Sequence, residues 1–292
     1  MGRAARVACL VRLCDFEYGE CCDVVSVGAD RHPCDYSILI VHLFLSPHLD
    51  DIALSCGGWV HQLTGAGERV VIAAVCSGDT PRGITFSEAA RHVHWEWQLG
   101  EDNPYAARRA EDIDACDALG AEPLHLGFLD AVYRSDAYGE PLYTRNFIGG
   151  AVQDADWRGM YFRLIARLRP LMAAAEQVYC PLAIGGHVDH VLVRSAAEAA
   201  GSRMPTYYED YPYAQKVMTG ALPPGDLAAL TSGLRARTVT LTAADVDARI
   251  DAIGRYRSQQ FALFEEAASM LAKVRTYVAE SGGERYYAAD AG

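Results

Sequence analysis

SILIVHLFLSPHLDD, residues 37–51, opens on an apolar run interrupted only by His42 and closes on Pro, His and two Asp. The run is strand-sized and rich in Ile, Leu and Phe, as expected of a strand buried on both faces of a parallel sheet. Asp51–Gly65 reads as the helix that follows it. RVVIAAVCSG (69–78) repeats the buried-strand pattern, and residues 79–103 read as a long irregular stretch. Pro104–Leu119 has helical periodicity and stops at Gly120, a fitting cap. PLHLGFL (123–129) is a third strand, followed by a Tyr- and Gly-rich loop to residue 150. Beyond it come a helix (Trp157–Ala175), a strand (QVYCPL, 177–182), a helix (His190–Gly201) and strand-like MPTYYED (204–210). TVTLT (238–242) and one long helix, Ala243 to Ala272, close the pattern. Strands alternating with helices of this length predict an α/β fold: a Rossmann-like, open, mostly parallel sheet with helices on both faces. Such sheets collect ligands beyond the carboxyl ends of their strands.

The bulk numbers narrow the partners. At 292 residues, with 51% hydrophobic and 22% charged residues, the chain is an ordinary globular one, long enough to bury a core without disulfides. A net charge of −12 argues against nucleic acid or an anionic membrane as a partner. No apolar run reaches the roughly 18 residues of a membrane span, and Val7–Val11 is too short for a signal peptide, so a cytoplasmic location is expected. Of nine cysteines, Cys9, Cys14, Cys21, Cys22 and Cys34 crowd the start without the paired CxxC spacing of a zinc knuckle. Cys56, Cys76, Cys116 and Cys180 lie in apolar segments and read as buried, reduced thiols. The expected organisation is a Cys-rich, poorly ordered extension (1–35), one catalytic domain (36–282) and a C-terminal tail (283–292).

Two stretches carry chemistry. SPHLDD (46–51) follows the first strand, and GGHVDH (185–190) follows the fourth. Imidazole and carboxylate suit zinc, and a catalytic site needs three protein ligands and one open position. His48 and Asp51 are three apart, as are His187 and His190, so two strand-end turns can close on one ion. Taken singly, Asp50 and Asp51 could equally be helix-capping residues. His92 and His94 form an HxH that lacks an adjoining carboxylate at useful spacing. Trp95 and Trp97 would serve either as a sugar-stacking pair or as core.

PHLDD followed much later by GGHVDH resembles the LmbE/PIG-L family of zinc-dependent N-acetylglucosaminyl deacetylases, whose signatures are [AP]-H-x-D-D and H-x-D-H. The likeness runs from Ile38 to Phe264. It takes in RRAEDIDACDALGA (108–121), GFLDAVYR (127–134), YYEDYPYA (207–214) and RYRSQQ (255–260). It implies that His48, Asp51 and His190 hold one zinc per chain, Fe2+ suiting the same donor set. It also implies Asp50 as general base, His187 as oxyanion stabiliser or proton donor, and Asp189 as a carboxylate orienting a histidine. Arg109, with Arg108 as its rival, and Asp130 would contact the sugar. Glu209 and Asp210 would lie on the rim.

The resemblance therefore implies a hydrolase that frees acetate from an N-acetylglucosamine-type amino sugar or a sugar-bearing natural product. Its partner would be that small molecule, with room left for a homo-oligomer. Some family members carry a tyrosine just before HxDH. Here the stretch is Ala183-Ile184-Gly185-Gly186, so Tyr133, Tyr179 or Tyr211 would have to reach in. The alternatives are an amidase of the same family acting on a non-sugar or thiol-conjugate amide, and a catalytically silent, metal-binding Rossmann-like protein. A dinucleotide-binding protein is disfavoured because SPHLDD stands where GxGxxG would be.

Overall fold

A computed structural model describes residues 40–100, 103–145, 150–222, 225–264 and 267–289. The chain runs β1 (Ile40–Ser46), α1 (Asp51–Gly65), β2 (Val70–Cys76), α2 (Glu88–Trp97), α3 (Pro104–Leu119) and β3 (Glu122–Phe128). It continues through α4 (Asp154–Arg158), α5 (Met160–Ala173), β4 (Ala175–Pro181), α6 (Val188–Ala200) and β5 (Thr206–Tyr208). The last third holds α7 (Tyr213–Met218), α8 (Gly225–Leu230), β6 (Leu234–Val239), α9 (Ala243–Arg255), α10 (Arg257–Phe264), α11 (Ala267–Ser281) and β7 (Glu284–Ala289).

The seven strands form one sheet in the order β3-β2-β1-β4-β5-β7-β6. The first five are parallel, and β7 runs antiparallel between β5 and β6. Leu43, Phe44 and Leu45 of β1 and all of β2 are buried, which explains why both read as unbroken apolar runs. From β1 the chain moves outward through α1 to β2, and from β4 it moves the other way through α6 to β5. Right-handed crossovers in opposite directions place α1 and α6 on opposite faces of the sheet. Accordingly α1 packs with α3 and α9, while α5 packs with α6. The order of strands reverses between β1 and β4, and the crevice beyond that reversal is where this architecture binds ligands. SPHLDD and GGHVDH flank it.

Several local expectations are corrected. The irregular stretch 79–103 contains α2, started by Ser87, whose side chain accepts from Ala90 N, and ended by Gln98 in the left-handed region. The long last helix is not continuous. Its first break falls at Tyr256, whose hydroxyl lies 2.9 Å from Leu49 O and 2.8 Å from Asp112. The helix expected over Trp157–Ala175 is split at Gly159. The expected tail from residue 283 contributes β7, because Glu284 and Tyr286 are buried against the sheet and α1 rather than left in water. The expected extension 1–35 lies outside the described residues. Cys56, Cys76, Cys116 and Cys180 are free and buried. Among the described residues no helix is long and apolar enough to cross a membrane.

Candidate metal centre

The turn after β1 brings two candidate ligands together. Asp50 occupies the N-cap position of α1, but its side chain makes no capping hydrogen bond. Asp51 Oδ2 instead accepts from His48 N at 2.7 Å and lies 3.3 Å from His48 Nδ1. From the turn after β4, His190 Nε2 comes within 3.4 Å of the same oxygen. The three donor atoms lie within 4.8 Å of one another. Ligand atoms about 2.1 Å from a tetrahedral zinc stand about 3.4 Å apart, so two of the three spacings already match a zinc coordination edge.

The outward nitrogens settle the tautomers. His48 Nε2 pairs with Asp189 Oδ2 at 3.1 Å, and His190 Nδ1 pairs with Asp210 Oδ1 at 2.6 Å. Each carboxylate accepts a hydrogen bond from a ring N–H, so that in the neutral ring the other nitrogen's lone pair faces the centre. Asp189 is fully buried and is itself held by Arg134 and by Ala131 N at 3.1 Å. Asp210 accepts from Ile184 N at 3.0 Å.

The electrostatics follow from this crowding. Burial works against the charged form of both histidines. The carboxylates outweigh it, so Asp189 and Asp51 raise the pKa of His48 well above its ordinary value, and Asp51 and Asp210 raise that of His190. Burial likewise pushes Asp51 upward, but His190 and His48 hold it below the usual carboxylate range. Two cation-seeking sets of this kind, with no cation of their own, are what a metal ion satisfies.

Asp50 stands beside this centre with a different character. Burial raises its pKa, and the Arg108 guanidinium, 3.5 Å from Oδ1, opposes the rise without cancelling it. A carboxylate moved toward neutrality is suited to accept a proton. His187 caps α6, its Nδ1 accepting from Asp189 N at 3.2 Å. Burial and the neighbouring His48 hold His187 neutral, which leaves its proton on Nε2.

The rest of the predicted set divides. Asp130 lies 3.8 Å from His48 Nε2 and accepts from Tyr105 Oη at 2.5 Å, so it belongs to the centre. Arg108 reaches it as well, only 3% exposed and stacked 4.3 Å from the Trp97 ring centre and 5.0 Å from that of Tyr105. Arg109, the expected contact, is turned to Ser77 O at 2.7 Å and Asp79 at 2.5 Å. Successive residues on α3 point about 100° apart, and only one of the two arginines can face Asp50.

Trp97 is thus a buried support for Arg108, while Trp95 is exposed against Phe261. His94 pairs with Tyr133 Oη at 2.5 Å and His92 sits 3.5 Å from Glu96, so the HxH binds nothing jointly. Glu209 is buried against Tyr277 and Tyr287. Asp210, expected on the rim, is His190's partner.

The tyrosine at the centre is Tyr213, the first residue of α7. Its ring lies edge-on to His190, with centroids 6.0 Å apart, and covers Gly185. A Cβ at Gly185 would meet that ring at 2.5 Å, and Gly185 has φ +83, so glycine is required twice over. Among the described residues the Tyr213 hydroxyl makes no hydrogen bond; burial and Asp51, Asp210, Asp50 and Asp130 all raise its pKa, which keeps it protonated. Of the other tyrosines, Tyr179 bonds His42 inside the sheet and Tyr211 stacks on Phe264. The signal for Tyr213 was the glycine pair itself, which makes room for a ring brought from another segment.

His48, Cys76 and Asp189 form a second cluster, but Asp189 is already paired with Arg134 and burial keeps the Cys76 thiol protonated. A cleft of about 380 Å³ lined by Arg169, Glu176, Arg203 and Met204 lies at the opposite, amino end of β4 and β5, away from these ligands.

Comparison with known proteins gives the family and the fold. Residues 43–201 match the family model described as PIG-L, GlcNAc-PI de-N-acetylase. The chain is 33% identical over 179 residues to a 2'-N-acetylparomamine deacetylase of Streptomyces fradiae, covering 59% of this chain and 57% of that one. It is 28% identical over 188 residues to a 2'-N-acetylparomamine deacetylase of Niallia circulans, covering 60% and 68%. The matched part thus spans little more than half the length of the Streptomyces protein. The zinc-inhibited form of a teicoplanin deacetylase superposes with a TM-score of 0.71 at 27% identity, over 86% of this chain and 99% of that one.

Proposed function

The chain belongs to the PIG-L family of GlcNAc-PI de-N-acetylases, and from that premise we propose that it is a zinc-dependent, cytoplasmic N-deacetylase of an acetylated amino-sugar natural-product intermediate. The observation that carries this reading is the convergence of His48 Nδ1, Asp51 Oδ2 and His190 Nε2, with Asp50 beside them.

A zinc ion held by those three residues would supply Lewis acidity, polarising the amide carbonyl and acidifying water. The chain supplies the rest. Asp50 takes the proton from the attacking water. The raised pKa of Asp50 lets it pass that proton on as the C–N bond breaks, so acetate and a free amine leave in balance. His187 Nε2–H and the Tyr213 hydroxyl donate hydrogen bonds toward the oxygen that becomes anionic. Asp189 and Asp210 hold the histidine ligands in one tautomer each. Arg108 keeps Asp50 oriented and, with Asp130, offers polar contacts to the sugar hydroxyls.

The curated relatives are deacetylases of 2'-N-acetylparomamine, and this supports an acetylated glucosamine ring within a small aminocyclitol glycoside as the substrate. The net charge of −12 favours such a polycationic molecule by long-range attraction. The structural likeness to a teicoplanin deacetylase supports a second reading, an acetylated sugar on a glycopeptide.

Acetate release from 2'-N-acetylparomamine, an N-acetylglucosaminyl glycopeptide and free N-acetylglucosamine, using zinc-loaded protein with Asp50→Ala alongside, tests the proposal. Release from the first that vanishes in the variant is expected. Zinc-bound protein inactive on all three would overturn the amino-sugar reading. A protein that binds no zinc would overturn the metal.

A further inference from the structure

Away from the metal centre, the largest fully buried side chain among the described residues is an arginine. Arg249 of α9 is 0% exposed, and its partner Glu284, at the start of β7, is 1% exposed. Arg249 Nη1 lies 3.3 Å from Glu284 Oε1. The guanidinium is stacked 5.4 Å from the Tyr211 ring centre and 5.8 Å from that of Tyr277. Its Nε has no hydrogen-bond partner among the described residues. Burial raises the Glu284 pKa and Arg249 opposes the rise. A buried ion pair of this kind contributes little net stability, because desolvation offsets the attraction. Its placement suggests another role.

Both ends of the pair grip the backbone of α1. Arg249 Nη2 donates to Leu54 O. Glu284 Oε1 accepts from Gly58 N and its Oε2 from Trp59 N, both at 2.9 Å. In a regular helix Gly58 N–H and Leu54 C=O are each other's partners. The ion pair therefore engages the two groups of one rung in the α1 ladder. Gly57 and Gly58 let it approach: a Cβ on Gly57 would meet Arg249 Cγ at 3.0 Å, and one on Gly58 would meet Leu241 at 2.5 Å and Glu284 Oε1 at 3.1 Å. Directly above this rung, Leu54 N–H closes the first turn on Asp50 O at 3.0 Å. Ser55, next in the chain, has its Oγ bonded by Tyr211 N at 3.0 Å, in the segment after Asp210.

We infer that Arg249 and Glu284 are positioning residues for the metal centre. They set the axial position and rotation of the first turn of α1, and with it the side chains of Asp50 and Asp51, from behind. Neither touches the metal or the substrate. The inference rests on the metal-centre reading given above, since it concerns where Asp51 stands relative to His48 and His190.

The test separates positioning from mere stability. In Arg249→Met/Glu284→Leu the charges are replaced by apolar groups of similar size, and Leu54 C=O and Gly58 N–H are free to pair with each other. The double variant is expected to melt within a few degrees of the wild type or above it. Its zinc affinity, read by competition with a chromophoric chelator, should fall at least tenfold. Leu168→Ala in α5, a core truncation on the other face of the sheet, serves as control: it should lower Tm while leaving zinc affinity unchanged. Wild-type affinity in a folded double variant would overturn the inference. If the double variant does not fold, Glu284→Gln, which keeps the shape and removes one charge, is read by the same titration with the same two outcomes. Wild-type protein that binds no zinc would defeat the metal reading and this inference together. Wild-type binding with unaltered variants would defeat this inference alone.

Discussion

The turns after β1 and after β4 carry nearly the same residues, His-Leu-Asp-Asp at 48–51 and His-Val-Asp-His at 187–190, yet they spend them differently. In the first, Asp51 faces the centre and Asp50 is buried beside it, its rise opposed first by Arg108 at 3.5 Å and then by His48. In the second, Asp189 is wholly buried, locked to Arg134, and serves His48 from behind. Two carboxylates at similar places in similar turns thus have pKa values shifted in opposite directions. Burial with one distant guanidinium leaves Asp50 raised, while burial against a tight ion pair leaves Asp189 well below the usual carboxylate range. Partner geometry, and not residue type, separates a proposed base from a support.

Exchanging side chains between these roles shows whether the contrast is real. The largest effect is expected for Asp51→Ala, which removes a proposed ligand and should abolish stoichiometric zinc binding by metal analysis. His187→Ala, at the position of the second turn that matches His48 of the first, should retain the metal. Asp50→Asn should keep zinc and lower kcat by about 10²–10⁴, the range for loss of a general base. Asp189→Asn should do the reverse in kind, weakening zinc about 10- to 100-fold by chelator competition, as removal of a histidine-orienting carboxylate does. If these two variants behave alike, the contrast drawn here is wrong. A smaller effect, about tenfold in kcat with zinc affinity unchanged, is expected for Tyr213→Phe, which removes one hydrogen-bond donor.

The smallest effect lies at the far end of α1. Asp245 accepts from Gln62 at 2.7 Å, pairs with His61 at 2.8 Å and closes the capping box of α9. Although burial pushes its pKa upward, the bonds from Gln62, His61 and Thr242 pull it down to about 2. A folded-state pKa below the ordinary carboxylate value contributes stability above that value and loses it as pH falls through about 2. Asp245→Asn should therefore lower Tm by about 2–4 °C at neutral pH, and the difference should shrink as the solution is acidified.

Much of this was legible in the chain itself. The two buried parallel strands announced themselves as apolar runs because a strand covered on both faces has no polar side to show. The six residues His48, Asp50, Asp51, His187, Asp189 and His190 could be singled out because each set of three lies within one local turn, where sequence spacing is spatial spacing. The strand β7 was hidden for the opposite reason. ERYYAA is short and half polar, and its place in the sheet is fixed by Glu284 reaching α1, more than 220 residues away in the chain.

Where the reading of the sequence stopped, distance along the chain was the cause. Arg108 rather than Arg109 faces Asp50 because its guanidinium is held against Trp97 of α2 and Tyr105 of its own helix. Asp210 meets His190 because β5 lies next to β4. Tyr213 covers Gly185 because the segment after β5 brings its ring to within 2.5 Å of where a Cβ at Gly185 would stand. The sequence by itself determined the class of sheet, the two ligand-bearing turns and their order, since each depends on neighbours within a few residues. Only the tertiary structure decided which carboxylate has its pKa raised and which lowered, which arginine and which tyrosine arrive, and what holds α1 from behind, because those depend on desolvation and on partners brought together by packing.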